Sequence, residues 1–228
     1  RQRLEELQRA GELAIRRRQR RTKQAIIGSV VILLLVAVAM GFFALRQQRL
    51  TAIADAQQRG DDALQAADFN GAIEAYSEVI RLDDTVADAW AGLALAKLQH
   101  TPPDVSGAFG DLERSEALSP DGEKTQQARQ LAHVQRAIER ANAGSVTEAL
   151  QDIGEAEKLA APAEDVAAAK SAVSSAYLKL AEAAVVAKQP ESALKELQEA
   201  RTILPQSDQL SRVSQMIAEA FLDRADAS

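Results

Sequence analysis

The chain of 228 residues contains no cysteine, only six prolines and few aromatic residues, which make up 4% of the sequence. The absence of cysteine excludes disulfide-stapled secreted modules, cysteine-ligated zinc sites and thiol chemistry. Apolar residues make up 46% of the chain and are mostly Ala, Leu, Val and Ile, a profile that favours helices. At this length we expect one or two domains.

Charge is unevenly distributed along the chain, although its total is only −6. Residues 1–24 carry nine basic and three acidic side chains, and residues 25–45 carry no charge. Residues 46–228 carry 18 basic and 30 acidic side chains. This distribution predicts three regions in different surroundings: a basic segment, an apolar segment and a large acidic region.

The apolar segment, Ala25 to Leu45, is long enough to cross a membrane as a helix. Its 21 residues would span about 31 Å, close to the hydrocarbon thickness of a bilayer. One alternative is an unusually apolar core helix. Another is a signal peptide cleaved after Ala37-Val38-Ala39, but the apolar run continues beyond that motif. We therefore expect a single-pass transmembrane helix.

Basic residues beside the apolar segment predict its orientation. Only Arg46 and Arg49 follow it closely, whereas six basic residues immediately precede it: Arg16, Arg17, Arg18, Arg20, Arg21 and Lys23. Because such residues are retained on the cytoplasmic side, the amino terminus is expected there and residues 46–228 outside. We expect the six residues to contact lipid headgroups rather than nucleic acid. The excess of Arg over Lys and the Ala richness indicate a bacterial origin, so we expect the predicted span to lie in a bacterial inner membrane.

An Ala-x-x-x-bulky pattern recurs four times after the apolar segment. The four pairs are separated by 36, 41 and 44 residues: Ala72 and Tyr76, Ala108 and Leu112, Ala149 and Ile153, and Ala193 and Leu197. A small residue lets two helices approach closely, and the bulky residue one turn later fills the adjacent space. The pattern therefore predicts a series of helical hairpins.

The residues around these pairs resemble the tetratricopeptide repeat (TPR) family. Small and bulky residues recur at the family's positions in repeats one, two and four: Gly60, Ala63 and Asp68 to Ala72; Trp90, Leu93, Ala94, Ala108, Leu112 and Pro120; Tyr177, Leu180, Ala181, Ala193, Leu197 and Pro205. The third repeat keeps only Ala137, Ala149, Ile153 and a displaced Pro162.

This resemblance implies an all-α fold, with a transmembrane helix followed by a TPR-like α-solenoid. About four hairpins are expected over residues 53–206, a capping helix over 207–228, and a short linker or helix continuation over 46–52. The first helix of the third hairpin is expected from about Glu123 to Asn142. The stretch from Ala163 to Val173 is expected to lengthen the first helix of the fourth.

In the TPR family, the first helix of each repeat lines a concave surface that binds other proteins. Carried over residue by residue, the resemblance implies a binding surface made of Gln57, Gln58, Asp61, Ala91, Gly92, Leu95, Val134, Ile138, Leu178, Lys179 and Glu182. Members that bind acidic carboxyl-terminal tails use a clamp of Lys, Asn and Arg. Four of those positions hold Gln57, Asp61, Gly92 and Gln135, so that ligand is not expected.

The sequence contains no recognisable catalytic or cofactor-binding motif. His100 and His133 lie outside any H-E-x-x-H pattern, and G-x-S-x-G, P-loop and G-x-G-x-x-G motifs are absent. The pairs Asp61-Asp62 and Asp83-Asp84 have the chemistry to hold a divalent cation, but we expect solvated or capping roles for them. We predict a protein that is not an enzyme and uses no cofactor or metal.

Two functional hypotheses follow. The first is a membrane-anchored TPR scaffold that organises proteins in a bacterial envelope complex, its anchor contacting another subunit's membrane helix through Ala37 and Gly41. The second is the carboxy-terminal transmembrane and sensor part of a larger signalling protein, a Ser/Thr kinase or a nucleotide-switch ATPase, whose catalytic domain precedes Arg1. The mass of the native protein would distinguish them.

Overall fold

The computed structural model describes the backbone of residues 2–205 and 208–226 and the side chains of residues 34–205 and 209–225. In this part of the chain all regular secondary structure is helical: α1 (Gln2–Gln65), α2 (Phe69–Leu82), α3 (Ala87–Gln99), α4 (Val105–Leu118), α5 (Glu123–Asn142), α6 (Val146–Lys158), α7 (Ala163–Val186), α8 (Pro190–Ile203) and α9 (Asp208–Asp226). The chain divides into two compact units, Arg1–Ala52 and Ile53–Ser228.

The first unit belongs to α1. From residue 34 to residue 51 every side chain is exposed, including the large apolar side chains Leu34, Leu35, Val38, Met40, Phe42, Phe43 and Leu45. No helix in the described part of the chain is long and apolar enough to cross a membrane. The predicted span begins at residue 25, and its residues 25–33 lie outside the described side chains, as do the six basic residues expected to contact lipid.

The second unit consists of helical hairpins. The end of α1 pairs with α2, α3 with α4, α5 with α6, and α7 with α8. All four predicted small residues, Ala72, Ala108, Ala149 and Ala193, are fully buried, and the bulky residues one turn later are at most 4% exposed. The predicted series of hairpins is therefore confirmed, because each pair lies where two helices approach closely.

The hairpins stack in two layers. The first helices α3, α5, α7 and α9 each pack against the next, and each second helix packs against the following first helix. Helix α9 thus occupies the place of a fifth first helix, and it buries Leu210, Val213 and Ile217 against α7 and α8. It covers the apolar surface that the fourth hairpin would otherwise expose, as expected for a capping helix. The expected first residue of this helix, residue 207, lies outside the described residues.

The long first helices have the expected positions. Helix α5 spans Glu123–Asn142, and α7 begins at Ala163. Their additional amino-terminal turns are held by packing, since Thr125 in α5 and Val166 and Ala169 in α7 are buried. Each added turn therefore extends the contact between neighbouring hairpins rather than projecting into water.

Local sequence sets the ends of the helices. Asp68 and Asp104 cap α2 and α4, where their carboxylates accept hydrogen bonds from the backbone N–H groups of Gly71 (3.0 Å) and Gly107 (2.9 Å). Left-handed residues follow the ends of α1, α5, α6 and α7: Ala67, Gly144, Ala160 and Lys188. Such residues reverse the chain direction within a short turn and allow each helix to return antiparallel to its neighbour.

Candidate protein-interaction surface

The residues carried over from the TPR groove divide into buried and accessible groups. Six are at least partly exposed: Gln57, Gln58, Asp61, Ile138, Lys179 and Glu182. The other five are buried: Ala91, Gly92, Leu95, Val134 and Leu178. The expectation that all eleven form one accessible surface is corrected by this burial, because a partner contacts exposed atoms. The five buried residues belong to the packing beneath the surface.

Helix α3 is enclosed by its neighbours, which explains three of the five buried positions. It buries eight of its 13 residues, since it is apolar on nearly all sides. Leu95 packs in a cluster with side chains of α4 and α5 and with Leu64 of α1. Helix α3 therefore offers few exposed atoms to a partner.

Two glycines allow the ring of Tyr76 to enter between α1 and α3. A Cβ atom at Gly60 would lie 2.8 Å from the Tyr76 ring, and one at Gly92 would lie closer still. Both distances are shorter than van der Waals contact, so any side chain at either position would displace the ring. Tyr76 is fully buried as a result.

An ion pair crosses α3 above this ring. The Lys124 ammonium lies 2.6 Å from Oδ1 of Asp61, and the same oxygen accepts a hydrogen bond from the Tyr76 hydroxyl. Lys124 Nζ also lies 5.3 Å from the centre of the Tyr76 ring, within range of a cation–π interaction. The Asp61–Lys124 ion pair therefore joins the first hairpin to the third, so the partly exposed Asp61 carboxylate has a cation partner in addition to solvent.

The Tyr76 hydroxyl is a hydrogen-bond donor at neutral pH. Burial raises its pKa, and the hydrogen bond to Asp61 and the negative charges of Asp61 and Asp88 raise it further. The other acidic residues of the predicted pairs lie elsewhere. Asp62 is exposed, and Asp83 accepts hydrogen bonds from the backbone N–H (3.0 Å) and hydroxyl (2.6 Å) of Thr85 in the turn after α2.

A second polar cluster, around Asp152, escaped the sequence analysis. Asp152 is 2% exposed. Its carboxylate accepts hydrogen bonds from Arg136 Nε (3.0 Å) and Arg140 Nη1 (2.7 Å), and His133 Nδ1 lies 3.1 Å away. Burial raises the pKa of this carboxyl, but the hydrogen bonds from Arg136 and His133 and the charges of Arg136 and Arg140 outweigh burial and hold it below its ordinary value.

This cluster continues to a partly exposed aromatic ring. The Arg136 guanidinium lies 4.0 Å from the ring centre of Phe109, and the His133 ring meets the Phe109 ring edge-on at 5.6 Å. Shallow surface grooves lie on both sides of Phe109. The cluster therefore ties α4, α5 and α6 together next to an accessible surface.

The repeat register contains the signal that would have revealed this cluster. Asp152 lies three residues after the small residue of the third repeat, and Asp111 lies at the same place in the second. Asp111 is also buried, and its carboxylate pairs with Lys97 at 2.6 Å. Burial raises the pKa of Asp111 more than Lys97 lowers it. In each of the two central hairpins, a buried acidic residue on the second helix therefore pairs with a basic residue on the first helix.

The two residues expected to form a membrane-helix contact, Ala37 and Gly41, are exposed on α1. A Cβ atom built at Gly41 would meet no atom within 4 Å. Among the described side chains, no group of three or more His, Asp or Glu residues is arranged to hold a metal ion.

The comparisons with known proteins leave the family open. No protein-family model and no curated protein sequence matches the chain. The crystal structure of MamA protein is similar to this chain at 17% sequence identity, covering 76% of this chain and 83% of that one. The TM-score is 0.34, which carries no argument about fold or function. The resemblance to the TPR family therefore rests on the residues of this sequence alone.

Proposed function

We propose that this chain is a non-catalytic scaffold of the TPR type that binds other proteins through its repeat region. The observation that carries the proposal is the packing order, in which first helices stack on one another and second helices join consecutive hairpins. Arrays built in this way present long surfaces on successive helices, which suit the binding of extended or helical segments of other proteins.

The accessible part of the proposed binding surface lies mainly on the later first helices. Ile138 on α5 is partly exposed, Lys179 on α7 is exposed and Glu182 is partly exposed. Gln57 and Gln58 on α1 add polar positions at the other end. This mixed polar and aliphatic surface is typical of a reversible protein contact rather than of an obligate one.

A charge-reversal experiment tests this surface. Replacing Lys179 by Glu and Glu182 by Lys should reduce the recovery of protein partners captured with the tagged full chain, because both changes invert charges at the proposed contact. Lys195, exposed on the second helix α8, provides a matched control through Lys195→Glu. Equal recovery with the double variant and the control would place the binding surface elsewhere.

We also propose that residues 25–45 anchor the scaffold in a bacterial inner membrane, with residues 46–228 outside the cytoplasm. Large apolar side chains are exposed along α1, with Val38 and Phe42 70% accessible. Because water does not favour so many exposed apolar side chains on one helix, their exposure supports contact with lipid. The orientation rests on the basic residues that precede the apolar segment.

Topology reporters test the anchor and its orientation. A reporter that functions only outside the cytoplasm should be active when fused after Ser228 and inactive when fused after Gln24. The opposite pattern would show that the orientation is the reverse of the one proposed. Equal activity at both positions would show that residues 25–45 do not span the membrane.

The role of Gly41 in the membrane is tested separately. Gly41→Leu fills open space in the described structure and should reduce co-purification with membrane partners if a partner helix packs there. The helix should otherwise be unchanged, since Leu favours helices.

Intact mass of the native protein distinguishes a scaffold of 24.5 kDa from a much larger signalling protein.

A further inference from the structure

We propose that the Asp61–Tyr76 site is a cation-binding site for a protein partner and that Lys124 occupies it intramolecularly when no partner is bound. The partner is a basic protein segment that supplies a Lys or Arg side chain. This inference deepens the proposed scaffold function and rests on it. It assigns a chemistry to one part of the repeat region.

The site has the features that a cation requires. Oδ1 of Asp61 accepts from both the Lys124 ammonium and the Tyr76 hydroxyl, and the face of the Tyr76 ring lies beneath the ammonium. A carboxylate and an aromatic face together favour an ammonium or guanidinium group over a neutral one. Gly60 and Gly92 leave room for the ring that forms this face.

Lys124 can be replaced at this site because the ion pair remains accessible to solvent. Its side chain is 22% exposed and that of Asp61 is 39% exposed. Water and salt therefore compete with the ion pair, and such pairs contribute little to stability. Displacing Lys124 exchanges one cation for another at Asp61 and leaves no carboxylate unpaired.

Charge complementarity favours a basic partner. Residues 46–228 carry 30 acidic and 18 basic side chains, so the region that contains Asp61 has an excess of negative charge.

Two variants of the same ion pair give opposite expectations. The probe is a blocked amphipathic peptide of Leu, Ala and two Lys residues, compared with the same peptide carrying Gln in place of Lys. In the full chain, Lys124→Gln should bind the Lys peptide about fivefold more tightly than wild type, because the competing internal cation is removed. Asp61→Asn should bind it about fivefold more weakly, because the site loses its charge.

The direction of the two effects separates binding from folding. A purely structural ion pair would make both variants behave alike, so changes of the same sign, or no change in either, would overturn the inference. Glu78→Gln provides the matched control, since the Arg59–Glu78 ion pair (2.7 Å) joins α1 to α2 without crossing α3. The control should bind like wild type, and the Gln peptide should not distinguish the variants.

These outcomes differ from failure of the proposed function. If no peptide binds but partners are still captured through Lys179 and Glu182, the cation site is refuted and the scaffold remains. If the peptide binds with the expected pattern but no partner is captured in cells, the scaffold function is refuted.

Discussion

At the residue scale, one carboxylate holds three basic side chains of α5. Asp152 of α6 is buried, and it is held by Arg136, Arg140 and His133. Removing one member of a buried charge cluster costs more free energy of unfolding than the intact cluster contributes, because the remaining charges lose their partner. Asp152 is therefore expected to be the most sensitive charged residue of the third hairpin.

Asp152→Asn should reduce the free energy of unfolding by about 2–3 kcal/mol at neutral pH, since two arginines lose their counter-charge but stay partly hydrated. The folded state lowers the pKa of Asp152, so its stabilisation is present above the ordinary pKa of 3.8 and is lost as pH falls through the folded value. Urea unfolding of the full chain, followed by Trp90 fluorescence, measures this difference. Glu155→Gln, in an exposed ion pair, should change little, and a difference for Asp152→Asn that persists in acid would contradict the charge argument.

A second residue-scale feature is the space that Gly92 leaves for Tyr76. Gly92→Ala should destabilise the protein by about 1–3 kcal/mol, because the added methyl group overlaps the ring. Gly154 is the matched control in the interior of α6, where a Cβ atom would meet nothing within 4 Å. Gly154→Ala should stabilise by roughly 0.5–1 kcal/mol through helix propensity. Equal effects of the two substitutions on thermal stability would show that the packing of the Tyr76 ring does not require a glycine at Gly92.

At the element scale, four helices end in a left-handed residue, and three of these residues are not glycine. After α6, Ala160 has φ of 56°, and its N–H donates to Glu157 O at 3.0 Å while Ala161 N–H donates to Ala156 O at 2.9 Å. These two bonds satisfy carbonyl groups at the helix end. Ala160 therefore carries backbone strain in exchange for a short return to α7.

Exchanging alanine and glycine at two such ends tests this account. Ala160→Gly should stabilise by about 0.5–1 kcal/mol because the left-handed conformation becomes unstrained. Gly144→Ala, after α5, should destabilise by a similar amount, since Gly144 has φ of 81° and alanine is strained in this conformation. A Cβ atom there would meet no other group, so the effect reports the backbone conformation alone. Thermal unfolding of both variants measures the two shifts. Shifts of the same sign would mean that the turns relax to another conformation.

At the scale of the whole repeat unit, each hairpin is stabilised by packing against the next, and α9 covers the last hairpin. Leu178 and Leu197 are buried in the cluster that α9 covers. An uncovered last hairpin would expose this apolar surface to water, and stability in such arrays depends on the interfaces between neighbours.

Truncation after Leu204 should therefore accelerate hydrogen exchange in α7 and α8 while α3 and α4 retain their protection. A shorter truncation after Leu222 keeps the buried residues of α9 and serves as the control. Uniform loss of protection along the array after the longer truncation would indicate a single cooperative core instead of coupled hairpins.

The hairpins were predictable because their signals are local. Ala149 and Ile153 lie one turn apart on the same helix face, and Asp68 lies next to the helix that it caps. The accessible surface was less predictable. Residues at the groove positions of α3 were expected to be exposed, but two glycines admit Tyr76, and Lys124 joins Asp61 across the helix.

The sequence by itself determined where the helices lie, where they pair and which end carries the cap, because helix periodicity, small residues and capping groups act over a few residues. Only the tertiary structure decided which faces are covered and which charges meet. Asp61 and Lys124 are 63 residues apart, and their contact depends on how α1, α3 and α5 cross. Those crossing angles follow from all the side chains packed between the helices, and no local pattern encodes them.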